Sequence, residues 1–233
     1  MIDIIILAHD QHEMTADCLE AVRMNTATPH RIVLVDNGSV PPYDGAAIRN
    51  ERNLGYPAAV NEAIRQTAGD VICLLNNDVY VTPGWDKRLL EGLETFDIVG
   101  PMTSYAAGVQ LTTIGHYDDL EGLNRRALEF ARKNAGRTKE VNWVTGFCFL
   151  FKRSLWNEIG EFDTSMWPCN GEEIDFCMRV RKAGKRIGII QDVYVHHDGS
   201  KTFTSMNLEY EKIVERNDKY LASKWGDTVW LDQ

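Results

Sequence analysis

The chain is expected to form an α/β fold with a mostly parallel central sheet flanked by helices. Three features predict it. Apolar runs of strand length alternate with stretches whose apolar residues recur at helical spacing, at Ile2–Ala8, Thr15–Met24 and Arg31–Val35. The order strand, helix, strand implies right-handed crossovers and parallel pairing. Several of these strands also end in polar tails, His9-Asp10-Gln11-His12, Asp36-Asn37-Gly38-Ser39 and Asn76-Asn77-Asp78. In an open sheet such tails gather at one rim, where ligands of α/β proteins bind.

Composition sets the outer bounds. The 233 residues suit one large domain or a domain with a small appendage, and 44% hydrophobic with 25% charged residues is an ordinary globular mix. No apolar run approaches the ~20 residues of a membrane helix. The start, Met1-Ile2-Asp3-Ile4, lacks the basic region of a secretory signal. A net charge of −9 argues against a broad basic face for nucleic acid. The five cysteines are odd in number and lack metal-ligand spacing, so they read as small buried hydrophobes in a reducing compartment. The expected location is cytoplasmic, with a peripheral place at a membrane left open.

Taken in order, the first strand, Ile2–Ala8, is followed by a polar loop, and Cys18, Leu19 and Val22 give the next stretch a helical apolar face. The second strand, Arg31–Val35, leads through the Pro41–Gly45 loop to a short strand at Ala47-Ile48-Arg49. A helix is predicted over Pro57–Thr67, with Pro57 in its first turn and Gly69 past its end. Val71–Leu75 is then a buried strand that stops in two amides and a carboxylate. Two readings of Asp78 stand beside each other. It can hold Mg²⁺ or Mn²⁺ through carboxylate oxygens, or it belongs to a turn formed with Thr82-Pro83-Gly84.

A helix from Pro83 to about Glu94 and a short strand at Asp97–Gly100 follow. Tyr105–Arg137 is the least patterned stretch; a strand at Val109–Thr113 and a helix at Leu120–Lys133 are expected there, as an insertion over the site. Val141–Phe151 reads as a strand holding Gly146, a residue that marks close approach of a ligand or backbone. Ser154 can cap a short helix ending at Gly160. A helix over Ile174–Ala183 begins beside Glu172, Glu173 and Asp175, acids that also suit a helix N-terminus on dipole grounds alone. Strands at Arg186–Ile190 and Val193–Val195 lead into His196-His197, and an amphipathic helix covers Met206–Lys224.

Set side by side, the motifs resemble a known family. They are Val35-Asp36-Asn37-Gly38-Ser39, Asn53-Leu54-Gly55, Leu74-Leu75-Asn76-Asn77-Asp78, Gly146, Phe162-Asp163, Glu172-Glu173-Ile174-Asp175-Phe176-Cys177-Met178-Arg179 and His196-His197. In this order and spacing, across Ile2 to about Phe203, the chain resembles the GT-A fold glycosyltransferases of family 2, especially their rhamnosyltransferase-like branch. The resemblance implies one GT-A domain: a nucleotide-binding half over 1–100, an acceptor and catalytic half over 101–205, and a C-terminal helix over 206–233. It implies inverting transfer of a sugar from a nucleotide-diphosphate sugar, with UDP or dTDP favoured, to an acceptor hydroxyl. Ala8, His9 and Asp36 would hold base and ribose, Asn53 and Gly55 would lie along the nucleotide, and Asn76-Asn77-Asp78 stands where the family has Asp-x-Asp. Glu173 matches the catalytic base, one methylene longer than the family's aspartate. His196, with His197 as runner-up, would complete the metal site.

Charge gives these roles a reason. Breaking a sugar–phosphate bond leaves negative charge that something positive must meet. In an acidic protein, Mn²⁺ or Mg²⁺ on Asp78 and His196 is the expected answer, with Lys201 a second candidate for the diphosphate. Glu173 can take the proton of the attacking hydroxyl. Trp143 and Trp167 can stack on an acceptor sugar or lie in the core, and Gly146, Glu172 and Asp175 are the other acceptor-side candidates. A cell-surface polysaccharide or lipid-linked glycan is the default acceptor; a protein or modified nucleic acid is left open. The competing classes are a nucleotidyltransferase, against which Ala8–Glu13 has neither glycine nor Lys/Arg, and a non-catalytic carbohydrate or nucleotide module, against which the acidic cluster speaks.

Overall fold

The computed structural model describes residues 1–199 and 210–226. Nine strands form one sheet in the order β3-β2-β1-β4-β8-β6-β9-β5, with β7 pairing β9 off that path. Strands β1 (Ile2–Ala8), β2 (His30–Asn37), β3 (Ile48–Asn50) and β4 (Val71–Asn76) are mutually parallel. β8 (Cys148–Lys152) runs antiparallel between β4 and β6 (Ile98–Thr103), so β6 and its parallel partner β9 (Ile187–His197) point the same way as the first four. Short β5 (Val79–Tyr80) and β7 (Thr138–Val141) pair antiparallel with β9. The sheet is therefore mixed and mostly parallel in direction, as expected, with helices on both faces.

Burial on both faces explains the near-continuous apolar strands. In β1, Ile4 and Ile6 enter one core with Cys18, Leu19 and Val22 of α1 (His12–Asn25), while Ile5 enters the other with Val60 and Ile64 of α2 (Tyr56–Arg65). The period-2 alternation of strand side chains makes that division. Trp85 and Leu89 of α3 (Trp85–Gly92) are fully buried in the first core. Phe149, Phe151, Phe162 and Phe176 meet in the second, with Phe162 and Phe176 stacked at 4.6 Å.

The register sets the rim. Leu7 pairs with Val35 and with Asn76, and Ala8 pairs with Asp36. The tails of β1, β2 and β4 thus end at one level. β9 brings His197 opposite Val79, one residue past Asp78.

Four sequence expectations are corrected here. Val109–Thr113 is not a strand: Gly108–Gln110 is a turn of 3₁₀ helix, with one bridge between Thr103 and Leu111. The Val141–Phe151 run is two strands, β7 and β8, on different partners, and Gly146 lies in the turn between them. Most of the run is apolar because Trp143, Val144 and Phe147 of the connecting turn are buried, so hydropathy alone cannot show the break. Arg186–Ile190 and Val193–Val195 form one long strand, β9, interrupted only by a register shift between Pro101 and Met102 of β6. α4 (Leu120–Lys133) forms as expected, capped by Asp119. α5 (Arg153–Ile159) ends at Gly160, but the residue preceding it is Lys152, and Ser154 makes no cap. α6 spans Glu172–Lys182, and α7 spans Tyr210–Trp225. Among the described residues no helix is long and apolar enough to cross a membrane.

Candidate active site

A cavity of about 600 Å³ opens at the strand-tail rim. Its walls come from β1 and β4 with their tails, the Asn53–Tyr56 turn, Tyr105–Ala107, Trp143–Phe147, the Pro168–Asn170 loop with the start of α6, His197 at the end of β9, and one face of α7. Of the residues singled out from sequence, His9, Asn53, Gly55, Asn76, Asn77, Asp78, Trp143, Gly146, Glu172 and Glu173 line it.

Asp78 and His197 both line it. Asp78 and His197 are both buried, and His197 Nε2 lies 3.2 Å from Asp78 Oδ1. His197 Nδ1 is 2.7 Å from the carbonyl oxygen of Tyr105. A carbonyl only accepts, so Nδ1 carries the hydrogen, and in the neutral ring Nε2 is then a bare lone pair. That lone pair faces a carboxylate oxygen which itself has no hydrogen-bond partner. Two buried lone pairs at this distance require a cation between them or a proton on the ring. The donor set, imidazole nitrogen plus carboxylate, fits Mn²⁺, and Asn76 Nδ2 lies 3.5 Å from the same Nε2, to which it can donate. No group of three or more His, Cys, Asp or Glu gathers for a metal among the described residues. Any ion held here therefore takes its remaining oxygens from ligand or water, as Mg²⁺ usually does.

His196, expected to face Asp78, lies elsewhere. Its Nε2 is 2.9 Å from Asp198 and its Nδ1 is 3.0 Å from Ser104 Oγ, with Tyr117 beside it. Alternation along β9 sends adjacent histidines to opposite sides, and pairing through Val79 selects His197. Phe147 stacks on His197 at 5.1 Å and holds the ring in place.

Across the cavity, Glu173 opens the first turn of α6. Gly171 donates its N–H to Glu173 Oε2 at 3.1 Å. Burial pushes the Glu173 carboxyl above the ordinary carboxylate range, and N–H groups of Glu173 itself, Gly171 and Gly146 pull it part of the way back. Glu172, 5% exposed, is held well above that range by burial and then by the charge of Glu173. A Cβ on Gly146 would sit 3.5 Å from Glu173, so Trp143–Phe147 packs directly along the acid.

Other expected residues serve the frame. Asp36 is fully buried and does not line the cavity. It accepts from Ser39 N (2.8 Å), Tyr43 N (3.0 Å) and the Arg49 guanidinium. Burial alone would raise its pKa, but those donors outweigh it and hold the carboxylate below its usual value. Its oxygens are spent on shaping the 36–43 loop. Ala8 is buried in the core. Asp175 pairs with Arg179 (2.9 Å), Lys224 (2.7 Å) and Trp225 Nε1 (2.9 Å), and Trp167 is 49% exposed and outside the cavity. Lys201 lies outside the described residues.

Asn37, the next residue in the same strand tail, reaches the cavity where Asp36 does not. It lines the cavity, donates to Asn53 Oδ1 at 2.9 Å and accepts from Leu54 N at 3.1 Å, while Asn53 Oδ1 accepts from Gly55 N at 2.8 Å. Gly55 has φ +79°, and a Cβ there would meet the Trp167 ring at 2.6 Å, so only glycine fits. Thr145, Asn170 and Asp218 also line the cavity, and no sequence pattern marked them. Asn37 had a visible signal, since it follows Asp36 in the same strand tail.

Sheet order, rim and site define a GT-A glycosyltransferase. The model of the family described as Glycosyl transferase family 2 matches residues 3–160, and the chain belongs to that family. Over 243 residues it is 25% identical to the uncharacterized glycosyltransferase YwdF of Bacillus subtilis (strain 168), covering 97% of this chain and 84% of that protein. It is 27% identical over 202 residues to the N-acetylglucosaminyl-diphospho-decaprenol L-rhamnosyltransferase of Mycobacterium tuberculosis, covering 71% of this chain and 66% of that one. Its fold is similar to that of GalNAc-T7, solved with UDP, GalNAc and Mn²⁺, at a TM-score of 0.66 and 15% identity; the match covers 99% of this chain but 52% of that one.

Proposed function

We propose that this chain is an inverting, metal-assisted glycosyltransferase that moves a sugar from a nucleotide-diphosphate sugar to an acceptor hydroxyl. One observation carries the reading: Asp78 Oδ1, which has no hydrogen-bond partner, lies 3.2 Å from His197 Nε2 in the same cavity as Glu173. Asp78 and His197 would hold a divalent ion, which supplies the positive charge that a departing diphosphate needs. UDP and Mn²⁺ in the GalNAc-T7 structure support this assignment, and the relative named as an L-rhamnosyltransferase keeps rhamnose among the sugars to be tried.

The chain's own residues divide the remaining work. The Asn37–Asn53–Gly55 network orders the turn along which the nucleotide lies, and His9 stands at the end of β1 beside it. Glu173 takes the proton of the acceptor hydroxyl as it attacks the anomeric carbon. Its raised pKa suits a base working near neutral pH. A single displacement from the face opposite the leaving group inverts the anomeric centre.

The test is release of nucleoside diphosphate from UDP- and dTDP-sugars, with Mn²⁺, with Mg²⁺ and with EDTA, and NMR assignment of the product anomer. Turnover is expected to need the ion and to fall about 10²- to 10⁴-fold in Glu173→Gln. Turnover indifferent to both EDTA and Glu173→Gln, or retention at the anomeric carbon, overturns the proposal.

A further inference from the structure

The β6–β9 ladder ends where Thr103 pairs with Val195, two residues short of His197. On its other side β9 pairs with β5, placing Val79 opposite His197, and Asp198 donates its N–H to the Asp78 carbonyl at 3.1 Å. Bonds alternate along an antiparallel ladder, so a bond from the next residue makes Val79 and His197 a non-hydrogen-bonded pair. The N–H and C=O of His197 therefore point away from β5 and toward β6. His197 is buried, and main-chain groups in such a place need partners. Ser104, the residue after Thr103, supplies both from one hydroxyl. Its Oγ accepts from His197 N at 3.1 Å and lies 3.1 Å from His197 O.

The same Oγ is also 3.0 Å from His196 Nδ1, so the destination of its single proton matters. His196 Nε2 is 2.9 Å from an Asp198 carboxylate oxygen, which accepts, so Nε2 carries the hydrogen and Nδ1 is an acceptor. The Tyr117 hydroxyl donates to that Nδ1. The Ser104 proton is then left for the His197 carbonyl. Tyr105, the next residue, offers the carbonyl that takes the Nδ1–H of the His197 ring at 2.7 Å, and Nε2 lies 3.2 Å from Asp78. Main chain and ring of His197 are thus both held from Ser104-Tyr105. We propose that Ser104 is a positioning residue for the ion: its hydroxyl locks His197 to the tail of β6, so that Nε2 and not Nδ1 is presented to Asp78. The inference rests on the metal-assisted reading, since it names what presents the nitrogen ligand of that site. No sequence motif marked Ser104.

The test compares the full chain with Ser104→Ala, which deletes the hydroxyl, and Ser104→Thr, which keeps it. Nitrogen-15 NMR of the metal-free protein reads the His197 tautomer. Mn²⁺ titration followed by electron paramagnetic resonance, with UDP present, reads the affinity for the ion. The parent is expected to show the Nδ1–H form. Ser104→Ala is expected to mix the two tautomers and to weaken Mn²⁺ binding about tenfold, as loss of an outer-shell partner of a metal-bound histidine does. Ser104→Thr is expected to match the parent in both readouts. Thermal melts establish that each variant folds, and Ser104→Cys, whose thiol is a weaker donor and acceptor, replaces the alanine variant if that one does not. A hydroxyl that served stability alone would lower the melting temperature and move neither readout. The parental tautomer with parental Mn²⁺ affinity in folded Ser104→Ala therefore overturns the proposal, as does a folded Ser104→Thr that behaves like alanine. A parent that binds no Mn²⁺ with UDP sinks the metal reading instead, while mixed tautomers in metal-free Ser104→Ala would still show Ser104 setting the ring.

Discussion

Glu172 and Glu173 put two adjacent carboxyls on the wall of a largely apolar cavity. For Glu172, burial and then the neighbouring charge raise the folded-state pKa. The folded protein therefore binds this proton more readily than the unfolded chain does. The stabilisation is complete below the ordinary glutamate value of about 4.3 and is lost as pH rises through the raised value. Glu172→Gln removes that loss, so its melting temperature is expected to exceed the parent's at pH 8 and to match it near pH 4; a lower melting temperature at pH 8 contradicts the assignment. Asp36 has the opposite sign: its lowered pKa gives stability above about 3.9 that disappears in acid. The histidines separate in the same way at the level of function. His197→Ala is expected to cut turnover at least tenfold and weaken the response to Mn²⁺. His196→Ala, which loses contacts to Ser104 and Asp198, should change stability by about 1 kcal/mol and metal response little. Metal titrations of the two variants check this, and equal effects would return the metal role to both.

At the scale of elements, helix α7 clamps the loop that leads into Glu172 and Glu173. Asn217, 1% exposed, donates its amide to the carbonyls of Cys169 (2.9 Å) and Asn170 (2.8 Å). Leu221 is fully buried against Gly171, whose φ of +99° and lack of a Cβ let the helix approach. Lys224 and Trp225 both reach Asp175, and Lys224 also reaches Asp163. On its other side the loop's Pro168 carbonyl accepts from Tyr56 N at 2.6 Å, which ties it to the donor turn. Asn217→Ala leaves two part-buried carbonyls without their amide donor and is expected to cost about 1–3 kcal/mol, measured by denaturant unfolding. Leu221→Ala should cost about 2–5 kcal/mol. If the clamp positions Glu173, Asn217→Ala also lowers kcat more than it raises the donor KM; an unchanged kcat with reduced stability would confine the clamp to folding.

For the whole molecule, net charge and site electrostatics agree. The chain carries −9, and the cavity wall adds acids without a described Lys or Arg. A nucleoside diphosphate is repelled by such a surface unless a cation accompanies it. UDP alone is expected to leave the melting temperature nearly unchanged. UDP with Mn²⁺ at about 100 times Kd should stabilise by about 2.7 kcal/mol, on the order of 5–10 °C for a chain of this size, and EDTA should abolish the shift. An equal shift without metal contradicts the charge argument.

Much of this was already legible in the chain. Strand and helix periodicity placed β1, β2, β4 and α4, and the polar tails of His9, Asn37 and Asn76–Asp78 marked the rim, because a buried strand has no folding reason to end in polar groups. The order of weak motifs pointed to the family for the same reason: each polar interruption sits where a ligand must be met. What local pattern could not decide was side-chain direction and partner choice. His196 and His197 differ by one residue in a strand, and only the β5 pairing shows which one turns toward Asp78. Asp36 looked like a ligand-binding acid until Arg49 and two backbone N–H groups were found on it. Thr145 and Asp218, more than seventy residues apart, enter one cavity only because α7 folds back over the start of α6. Periodicity is a property of neighbours along the chain, whereas a site is made by residues that are neighbours in space.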